Sequence, residues 1–468
     1  MTAQTILPAN SVVDTGYNVA NSLMFNIGDS AYLTRAAATP TSAQIGTMSL
    51  WVKRGTLTST QYLMSWEENS NTYSRLYFND ADRLAFKSFD GGNNYGELIT
   101  NRLFRDTSAW YHIVCAIDTT LGTSGDRIKF YVNGVREASF DTQSQPAVNR
   151  NLKIGEAAVF VGKGASSYFN GYIAENYFID GTKYAASNFG ESDEDSGIWK
   201  PIDASDLTFG DNGFYLDFED SSALGTDAVG SNNLTPNNLA ATDQSTDTCT
   251  NNFITMNPLD NYFPDFTFSN GNTTITSGGN YSYPQATIHL NKGKWYWEVK
   301  PVSKASGGNE YMVGIQGRSS TAINQPAQAN VGITYYGVDG DTYGFGGGAT
   351  DYGDAYAAND IIGVALDIDN LKLYFSKNGT FQNSGDPTSG ATGTGALSIT
   401  AIGSVPQGGY SPVAGFYDSP EAVLSFNFGS PYYSISSGNA DGNGYGNFEH
   451  AVPSGYFSLN TKNLAEYG

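Results

Sequence analysis

Cysteine and histidine are scarce in this sequence, which has two cysteines and three histidines among its 468 residues. Cys115 and Cys249 do not form a CxxC pair, so a small disulfide scaffold is excluded. His112, His289 and His450 show no metal-ligand spacing, and the chain has no GxSxG nucleophile motif. These absences argue against a zinc enzyme and against a serine–histidine hydrolase.

Basic residues are also few: 24 lysines and arginines stand against 46 aspartates and glutamates, and the net charge is -22. An acidic surface repels phosphate backbones, so we expect no nucleic-acid partner. Such a surface suits solubility, divalent cations, and neutral or amine-bearing glycans. It is more typical of a charged, solvated surface without any partner.

Long hydrophobic runs are missing. No stretch approaches the roughly 18 apolar residues that a membrane helix needs, so we expect no membrane insertion. The first 22 residues lack a basic segment followed by an apolar run, and this argues against a signal peptide. We therefore expect a protein that is made in the cytoplasm and not secreted through its own leader.

Glycine and tyrosine are abundant, with 54 and 31 residues. Helical spacing of apolar residues is absent over long stretches, which favours many short strands joined by tight turns. We predict an all-β chain of two tandem antiparallel β-sandwiches, at 21–225 and 263–430. An extended linker at 226–262 joins them, and a tail follows at 431–468.

The first predicted sandwich has clear strands at 47–53, 110–118 and 127–133, and Asn133-Gly134 predicts a hairpin turn. The strands WYHIVCAID and RIKFYVN and the turn NGV resemble the central hairpin of laminin-G/concanavalin A-like domains. LKIG at 152–155 and FNGYIAE at 169–175 resemble the next two strands of that family. The resemblance implies a jelly roll of two antiparallel sheets, often with carbohydrate or protein ligands and sometimes with Ca²⁺.

The second predicted sandwich contains four ordered motifs. They are GKWYWEV at 293–299, NDIIGVALD at 359–367, LYFSKNG at 373–379 and AVLSFNFG at 422–429. In this order they resemble the SPRY domain. The resemblance implies a bent β-sandwich that binds partners through its loops and generally has no catalytic activity.

Three further segments extend the resemblance beyond the two modules. They are GFYLDFED at 213–220, DQSTDTCTNNFITMNPL at 243–259 and PSGYFSLNTKNL at 453–464. In combination with the modules they resemble virion proteins of tailed bacteriophages, of the tail-fibre or head-appendage type. This resemblance implies location in the virion, other virion proteins as partners, a host-surface glycan as ligand and a homo-oligomer. Residues 1–20 would then dock the chain to the particle or to a neighbouring subunit.

Aromatic side chains beside short polar residues are the best candidates for a ligand site. Sugars stack their apolar faces on such rings, while asparagine and aspartate orient the hydroxyl groups. In the second sandwich the candidates are Tyr335, Tyr336, Asp339, Asp341, Tyr343, Tyr352, Asp354 and Tyr356. In the first sandwich they are Trp66, Tyr73 and Tyr95. The alternative is that these rings pad strand edges or module interfaces.

One segment suggests a cation site. Asp90, Asn93 and Asn94 in DGGNN offer oxygen ligands for Ca²⁺, although the segment has fewer acids than an EF-hand loop.

A polysaccharide depolymerase is the enzymatic alternative, and it needs two carboxylates facing each other across a sugar. The nearest sequence is ESDED at 191–195, which lies between Gly190 and Gly197 and contains no aromatic residue. This segment is more typical of a solvated acidic loop. We expect no enzyme but a virion appendage that recognises a host surface. A purely structural decoration or joint protein is the other alternative.

Overall fold

The computed structural model describes residues 16–194, 196–259, 266–278, 283–304, 308–317, 332–344, 348–416 and 421–468. The described residues form two compact units that meet in the sequence between Thr250 and Asn251. One α-helix, α1 (Thr461–Tyr467), is present in this part of the chain. None of the helices in the described ranges is long and apolar enough to cross a membrane. The all-β prediction is confirmed.

The strands of the first unit are two to eleven residues long. They are β1 (Ser22–Phe25), β2 (Tyr32–Arg35), β3 (Ile45–Arg54), β4 (Gln61–Asn69), β5 (Thr72–Phe78), β6 (Arg83–Asp90), β7 (Asn93–Leu103), β8 (Trp110–Asp118), β9 (Ile128–Val132), β10 (Val135–Arg136), β11 (Phe140–Ser144), β12 (Ala158–Val161), β13 (Lys163–Gly164), β14 (Ser167–Tyr168), β15 (Gly171–Asp180), β16 (Gly190–Ser192), β17 (Trp199–Pro201), β18 (Phe214–Leu216), β19 (Thr235–Asn237) and β20 (Gln244–Ser245). Short 3-10 helices lie at Ile27–Asp29, Ser124–Asp126, Ala186–Asn188 and Ala241–Asp243.

Two large antiparallel sheets build the first unit. One has the order β10-β9-β8-β3-β15-β1-β20, with β18 also paired to β15, and the other has the order β11-β7-β6-β5-β4-β12-β2-β19. Because successive side chains of a strand point to opposite faces, each sheet contributes every second residue to a shared core. Leu50 and Ile113 from the first sheet and Leu76 and Phe86 from the second belong to this core. The unit is a β-sandwich, as predicted.

The strands of the second unit are β21 (Phe266–Ser269), β22 (Thr274–Ser277), β23 (Lys294–Ser303), β24 (Tyr311–Gln316), β25 (Gly332–Tyr336), β26 (Asp341–Gly344), β27 (Ala349–Asp351), β28 (Ile362–Asp367), β29 (Lys372–Lys377), β30 (Thr380–Phe381), β31 (Leu397–Ser398), β32 (Ser411–Phe416), β33 (Val423–Asn427) and β34 (Phe457–Ser458). The 3-10 helices are Pro387–Thr392, Ile402–Ser404 and Pro406–Gly408. One sheet has the order β21-β22-β33-β23-β28-β29-β30, with β31 beside β29 and β34 beside β23, and the other has the order β27-β26-β25-β24-β32. Trp295 and Val364 of the first sheet and Val313 of the second share one core.

The predicted hairpin turn at Asn133-Gly134 is present, and a second Asn-Gly turn has the same form. Asn133 and Gly134 have φ angles of 49° and 77°, and Val135 pairs with Val132. Asn378 and Gly379 have φ angles of 49° and 81° between β29 and β30. Positive φ at both central positions gives a turn whose twist matches that of the flanking strands, which explains the Asn-Gly sequences.

The segment predicted as a linker, 226–262, is not a free connector in its first part. β19 pairs with β2 and β20 pairs with β1, so residues up to Thr250 belong to the first unit. The Asp247 carboxylate accepts hydrogen bonds from Lys53 Nζ at 2.7 Å and from Trp110 Nε1 at 3.2 Å. Cys249 is a free thiol and fully buried. Residues 226–250 therefore strap the first sandwich.

The tail, 431–468, folds onto the second unit. Phe448 and Tyr456 pack against Tyr296 and Tyr374 on the side of the β23–β28–β29 sheet that faces away from the main core. The Glu298 carboxylate projects from β23 to the same side. It accepts the backbone N–H groups of Glu449 at 2.9 Å and His450 at 2.8 Å. The tail thus adds a second, smaller core to this domain.

Candidate functional site

Four of the predicted ligand-binding rings lie in the cores. Tyr335, Tyr352 and Tyr356 are 0%, 5% and 1% exposed in the second unit, and Trp66 is 1% exposed in the first. This burial contradicts the prediction that a sugar stacks on these four rings, because strand alternation or a hydrogen bond of the ring's polar group turns each one inward.

Backbone contacts hold the three buried tyrosines. The Tyr356 hydroxyl donates to the Tyr335 carbonyl at 2.8 Å, and the Tyr335 hydroxyl donates to the Asp354 carbonyl. The Tyr352 hydroxyl accepts the Phe375 N–H at 3.1 Å. Such hydroxyl partners allow a tyrosine to be buried without losing hydrogen bonds.

The remaining candidates of the second unit lie at one corner of its smaller sheet. Tyr336 and Tyr343 are half-buried, with ring centroids 5.6 Å apart and planes at 89°. Asp339 is exposed and accepts the Asp341 N–H at 3.0 Å, which shapes the turn between β25 and β26. Asp354 is exposed further along the chain. We call Tyr336, Tyr343, Asp339 and Asp341 the β25–β26 corner.

The predicted calcium ligands lie in the turn between β6 and β7. Asp90 pairs with Asn93 across Gly91-Gly92, and Asp90 Oδ1 accepts the Thr72 hydroxyl at 3.2 Å. Asn94 donates from Nδ2 to Glu97 at 2.9 Å. In the ranges that the structure describes, no group of three or more histidine, cysteine, aspartate or glutamate side chains is arranged to hold a metal ion. Calcium at this turn stays a prediction.

Tyr73 belongs to a row of side chains that faces away from the first core. On β5 the core residues Leu76 and Phe78 alternate with Tyr73, Arg75 and Tyr77. Cross-strand pairing places Tyr62 opposite Tyr77, Lys87 opposite Arg75, and Phe89 opposite Tyr73. This side of the second sheet therefore carries cations between rows of aromatic rings.

The hairpin β13–β14 lies against the same side at β4. It adds Lys163 and Tyr168, and the neighbouring strands β12 and β2 add Phe160 and Tyr32. Together these residues form what we call the aromatic face: Tyr32, Tyr62, Tyr73, Arg75, Tyr77, Lys87, Phe89, Phe160, Lys163 and Tyr168.

Ring and cation contacts organise the aromatic face. The Arg75 guanidinium carbon lies 3.5 Å from the Tyr73 ring centroid, and its Nε donates to Glu67 at 2.7 Å. Tyr73 and Phe89 stack with centroids 5.6 Å apart and planes at 21°. The Tyr73, Tyr77 and Phe89 side chains are half-buried, so their rings are held in position and partly open to solvent. Tyr95 lies apart from this set, with the Arg150 guanidinium 4.2 Å from its ring centroid.

The sequence-based selection of site residues missed most of the aromatic face. The signal was the alternation in TYSRLYF, where two tyrosines and an arginine share the side opposite to leucine and phenylalanine. The contribution of Lys163 and Tyr168 had no local signal, because it depends on how the β13–β14 hairpin folds back over β4.

Ser49 and His112 lie in hydrogen-bond contact in the first unit, but the histidine is in the wrong tautomer to act as a base on the serine. His112 Nε2 lies 2.9 Å from Ser49 Oγ, and Trp199 Nε1 donates to His112 Nδ1 at 2.9 Å. Since Nδ1 accepts, the neutral ring carries its hydrogen on Nε2 and donates to Ser49 instead of taking its proton. Burial lowers the pKa of His112 to about 3, so the ring stays neutral.

The acidic segment near 191 is held by a lysine. Lys200 Nζ lies 3.4 Å from Glu191 and 3.5 Å from Asp193, across the β16–β17 pair. Asp195 lies outside the described residues. The shared lysine gives these two carboxylates a structural ion-pair role.

Comparison with known families assigns both sandwiches. Residues 27–186 match the concanavalin A-like lectin/glucanases superfamily, and residues 294–429 match the SPRY domain. The chain therefore contains a concanavalin A-like domain followed by a SPRY domain. The aromatic face belongs to the first domain, and the β25–β26 corner belongs to the second.

Similarity to individual proteins is limited in extent. A Ran-binding proteins 9/10 homolog of Drosophila melanogaster is 30% identical over 88 residues, which are 19% of this chain and 9% of that protein. The SPRY domain of human HERC1 is 19% identical over 36% of this chain and 96% of its own, with a TM-score of 0.29. A putative carbohydrate binding protein of Bacteroides ovatus is 16% identical over 48% of this chain and 61% of its own, with a TM-score of 0.31.

Proposed function

We propose that this chain is a non-catalytic binding protein whose concanavalin A-like domain binds glycans on its aromatic face. One observation carries the proposal: aromatic rings and cations alternate on the outer side of a sheet whose other side is fully packed. Tyr73 and Phe89 provide stacked, half-buried rings, and the Arg75 and Lys87 side chains lie beside them. Sugar rings stack on such surfaces, while charged groups donate hydrogen bonds to their hydroxyls.

The rigidity of this surface supports the proposal. Arg75 pairs with Glu67, and Lys87 Nζ pairs with Glu97 at 3.0 Å, so neighbouring strands are tied together beneath the rings. Side chains that are ordered before binding lose little conformational entropy when a ligand arrives. Each contact is weak, and several copies in a homo-oligomer would supply avidity.

The SPRY domain is proposed to bind a protein partner through the β25–β26 corner. Tyr336 and Tyr343 give an apolar contact area there, and Asp339 offers an exposed carboxylate beside it. Aromatic residues surrounded by polar groups are typical of protein-binding surfaces.

The biological setting proposed for these activities is a bacteriophage virion. The domain order, the segment at 243–259 and the tail motif at 453–464 support this setting through their resemblance to tail-fibre and head-appendage proteins. In a virion the first domain would recognise a host-surface glycan, and the second would attach to other virion proteins.

Binding of the purified chain to host cells and to a glycan array tests the first part. We expect saturable binding that Tyr73→Ala and Phe89→Ala reduce about tenfold each and that Tyr343→Ala leaves unchanged. Absence of binding at high valency would favour the purely structural alternative. Release of reducing ends from host polysaccharide would contradict the non-enzymatic role.

Two further measurements test the setting and the assembly. Mass spectrometry of purified particles should detect the chain at a fixed stoichiometry, and its absence from particles would reject the virion assignment. Light scattering of the purified chain should give a multiple of the monomer mass of 50.1 kDa.

A further inference from the structure

The position of Lys163 on the aromatic face is set by the β13–β14 hairpin. The Ser65 hydroxyl donates to the Lys163 carbonyl at 2.7 Å. Two residues later, the Ala165 N–H donates to the Glu67 carboxylate at 2.9 Å. These bonds attach β13 and the first residue of the turn to β4, so the fold itself holds Lys163 in place.

The Lys163 ammonium group lies among three aromatic rings. Its nitrogen is 4.1 Å from the centroid of Tyr32, 5.2 Å from that of Phe160 and 5.8 Å from that of Tyr168. All four side chains are half-buried. The rings attract the cation through their negative faces and take the place of part of its water shell.

No acidic group in the described part of the chain neutralises this ammonium. Within the described ranges, Lys163 Nζ makes neither a hydrogen bond nor an ion pair. The nearby Glu67 carboxylate is already occupied by Arg75 Nε at 2.7 Å and by the Ala165 N–H. A positive charge with open hydrogen-bonding capacity thus stands beside rings suited to stack on a sugar.

We propose that the aromatic face takes a glycan whose terminal sugar carries a carboxylate. The sugar ring stacks on Tyr32 and Tyr168, and its carboxylate pairs with the Lys163 ammonium. This specificity rests on the proposed function and adds the class of ligand. A partly desolvated ion pair is stronger than one in open water, so the acid gains more here than a hydroxyl group would.

The net charge of the chain decides between a terminal acid and a polyanion. With a net charge of -22, the protein repels a polyanion over its whole length. At physiological salt the Debye length is about 8 Å, so a single carboxylate at Lys163 is governed by its immediate surroundings. A single acidic sugar at the end of an otherwise neutral glycan therefore fits best.

Oligosaccharides ending in sialic acid or glucuronic acid, each measured beside its methyl ester, test this inference on the full chain. We expect the acids to bind about tenfold more tightly than the esters. Lys163→Gln should abolish the difference, and Lys163→Arg should retain most of it. The matched control is Lys300→Gln, which removes another half-buried lysine, 5.3 Å from the Tyr433 ring centroid in the SPRY domain.

The outcomes distinguish failure of the carboxylate inference from failure of the proposed glycan binding. Equal affinity for acids and esters, or an acid preference that survives Lys163→Gln, overturns the carboxylate inference and leaves glycan binding in place. Failure of every oligosaccharide on the array, neutral ones included, overturns the proposed function as well. An unchanged melting temperature of each variant shows that its fold is intact.

Discussion

The Tyr215 hydroxyl donates a hydrogen bond of 2.8 Å to the Glu175 carboxylate in the interior of the first domain. Tyr177 and Tyr17 donate to the same carboxylate at 2.6 Å and 3.0 Å. Glu175 is 3% exposed and has a φ of 50°, at a point where the register of β15 shifts against β3. Within the described ranges, three neutral hydroxyls surround the Glu175 carboxylate and no cation pairs with it.

Stability of the first domain should therefore depend on the protonation of Glu175. Burial raises the pKa of Glu175 from 4.5 to about 7, although the three hydroxyls act in the opposite direction. Between these values the folded chain holds a proton that the unfolded chain has lost. Its contribution to the free energy of unfolding is complete below pH 4.5 and declines as the pH rises through 7.

Glu175→Gln should remove this dependence. Relative to the parent chain, we expect the variant to gain stability between pH 5 and pH 8, by a few kcal/mol at most. Calorimetry of the first-domain transition at several pH values measures the difference. Burial also raises the pKa of Asp243 to about 6, but this residue is present in both chains, so its contribution cancels in the difference between their stabilities. Parallel stability curves for parent and variant would contradict the assignment, and the exposed Glu219→Gln serves as the control.

The positions of the strands could be predicted from the sequence. Whether each side chain is buried or exposed could be predicted only in part. The strand at 110–118 was predicted with its observed bounds because Ile113, Cys115 and Ile117 recur at every second position and so share one side of a strand. Tyr335 and Tyr336 are adjacent in sequence, yet one is buried and the other is half-exposed. Composition alone could not assign them, because the side that a strand turns to the core depends on its partners.

The aromatic face shows the same limit across a longer distance. Arg75 and Lys163 are 88 positions apart, and they share a surface because β4 pairs with both β5 and β12 while the β13–β14 hairpin folds back. The local sequence does not predict that these two residues lie on one surface, since the order of strands in a sheet is a property of the whole domain. A solitary lysine before a Gly-Ala-Ser sequence has no pattern that marks it as a site.

The strap at 226–250 is predicted to be essential for the stability of the first sandwich. Lys53 and Asp247 form an ion pair of 2.7 Å with both side chains 2% exposed. Asp247→Ala leaves the lysine charge buried without this partner and should lower the free energy of unfolding by about 3–5 kcal/mol. Chemical denaturation followed by the fluorescence of buried tryptophans measures the change.

Replacement of both partners separates the ion pair from the packing of the strap. Lys53→Met combined with Asp247→Leu should recover much of the loss, because no unpaired charge remains buried. If Asp247→Ala costs less than about 1 kcal/mol, the strap contributes little to the fold.

The tail of the SPRY domain is predicted to depend on Glu298. Glu298→Ala removes the acceptor for the Glu449 and His450 N–H groups, so this part of the tail should open more often. Hydrogen exchange of peptides covering 439–450 should become at least about tenfold faster. Glu298→Gln keeps one acceptor oxygen and should give an intermediate rate. The exposed Glu466→Ala is the control. Equal exchange rates in all variants would contradict the prediction that Glu298 holds this part of the tail in place.

Glycine is predicted to be required at position 134 for two reasons: the positive φ of the backbone, and the close approach of the Trp199 ring. A Cβ at this position would lie 2.3 Å from two ring carbons of Trp199, the residue that donates to His112. Gly134→Ala should therefore cost about 1 kcal/mol for the positive φ and about 1–3 kcal/mol more for displacing the indole. Gly92→Ala is a matched control, with a φ of 91° and nothing within 4 Å of the added carbon. In a Trp199→Ala background, Gly134→Ala should cost no more than Gly92→Ala does, and an undiminished cost there would show that the indole is not the obstacle.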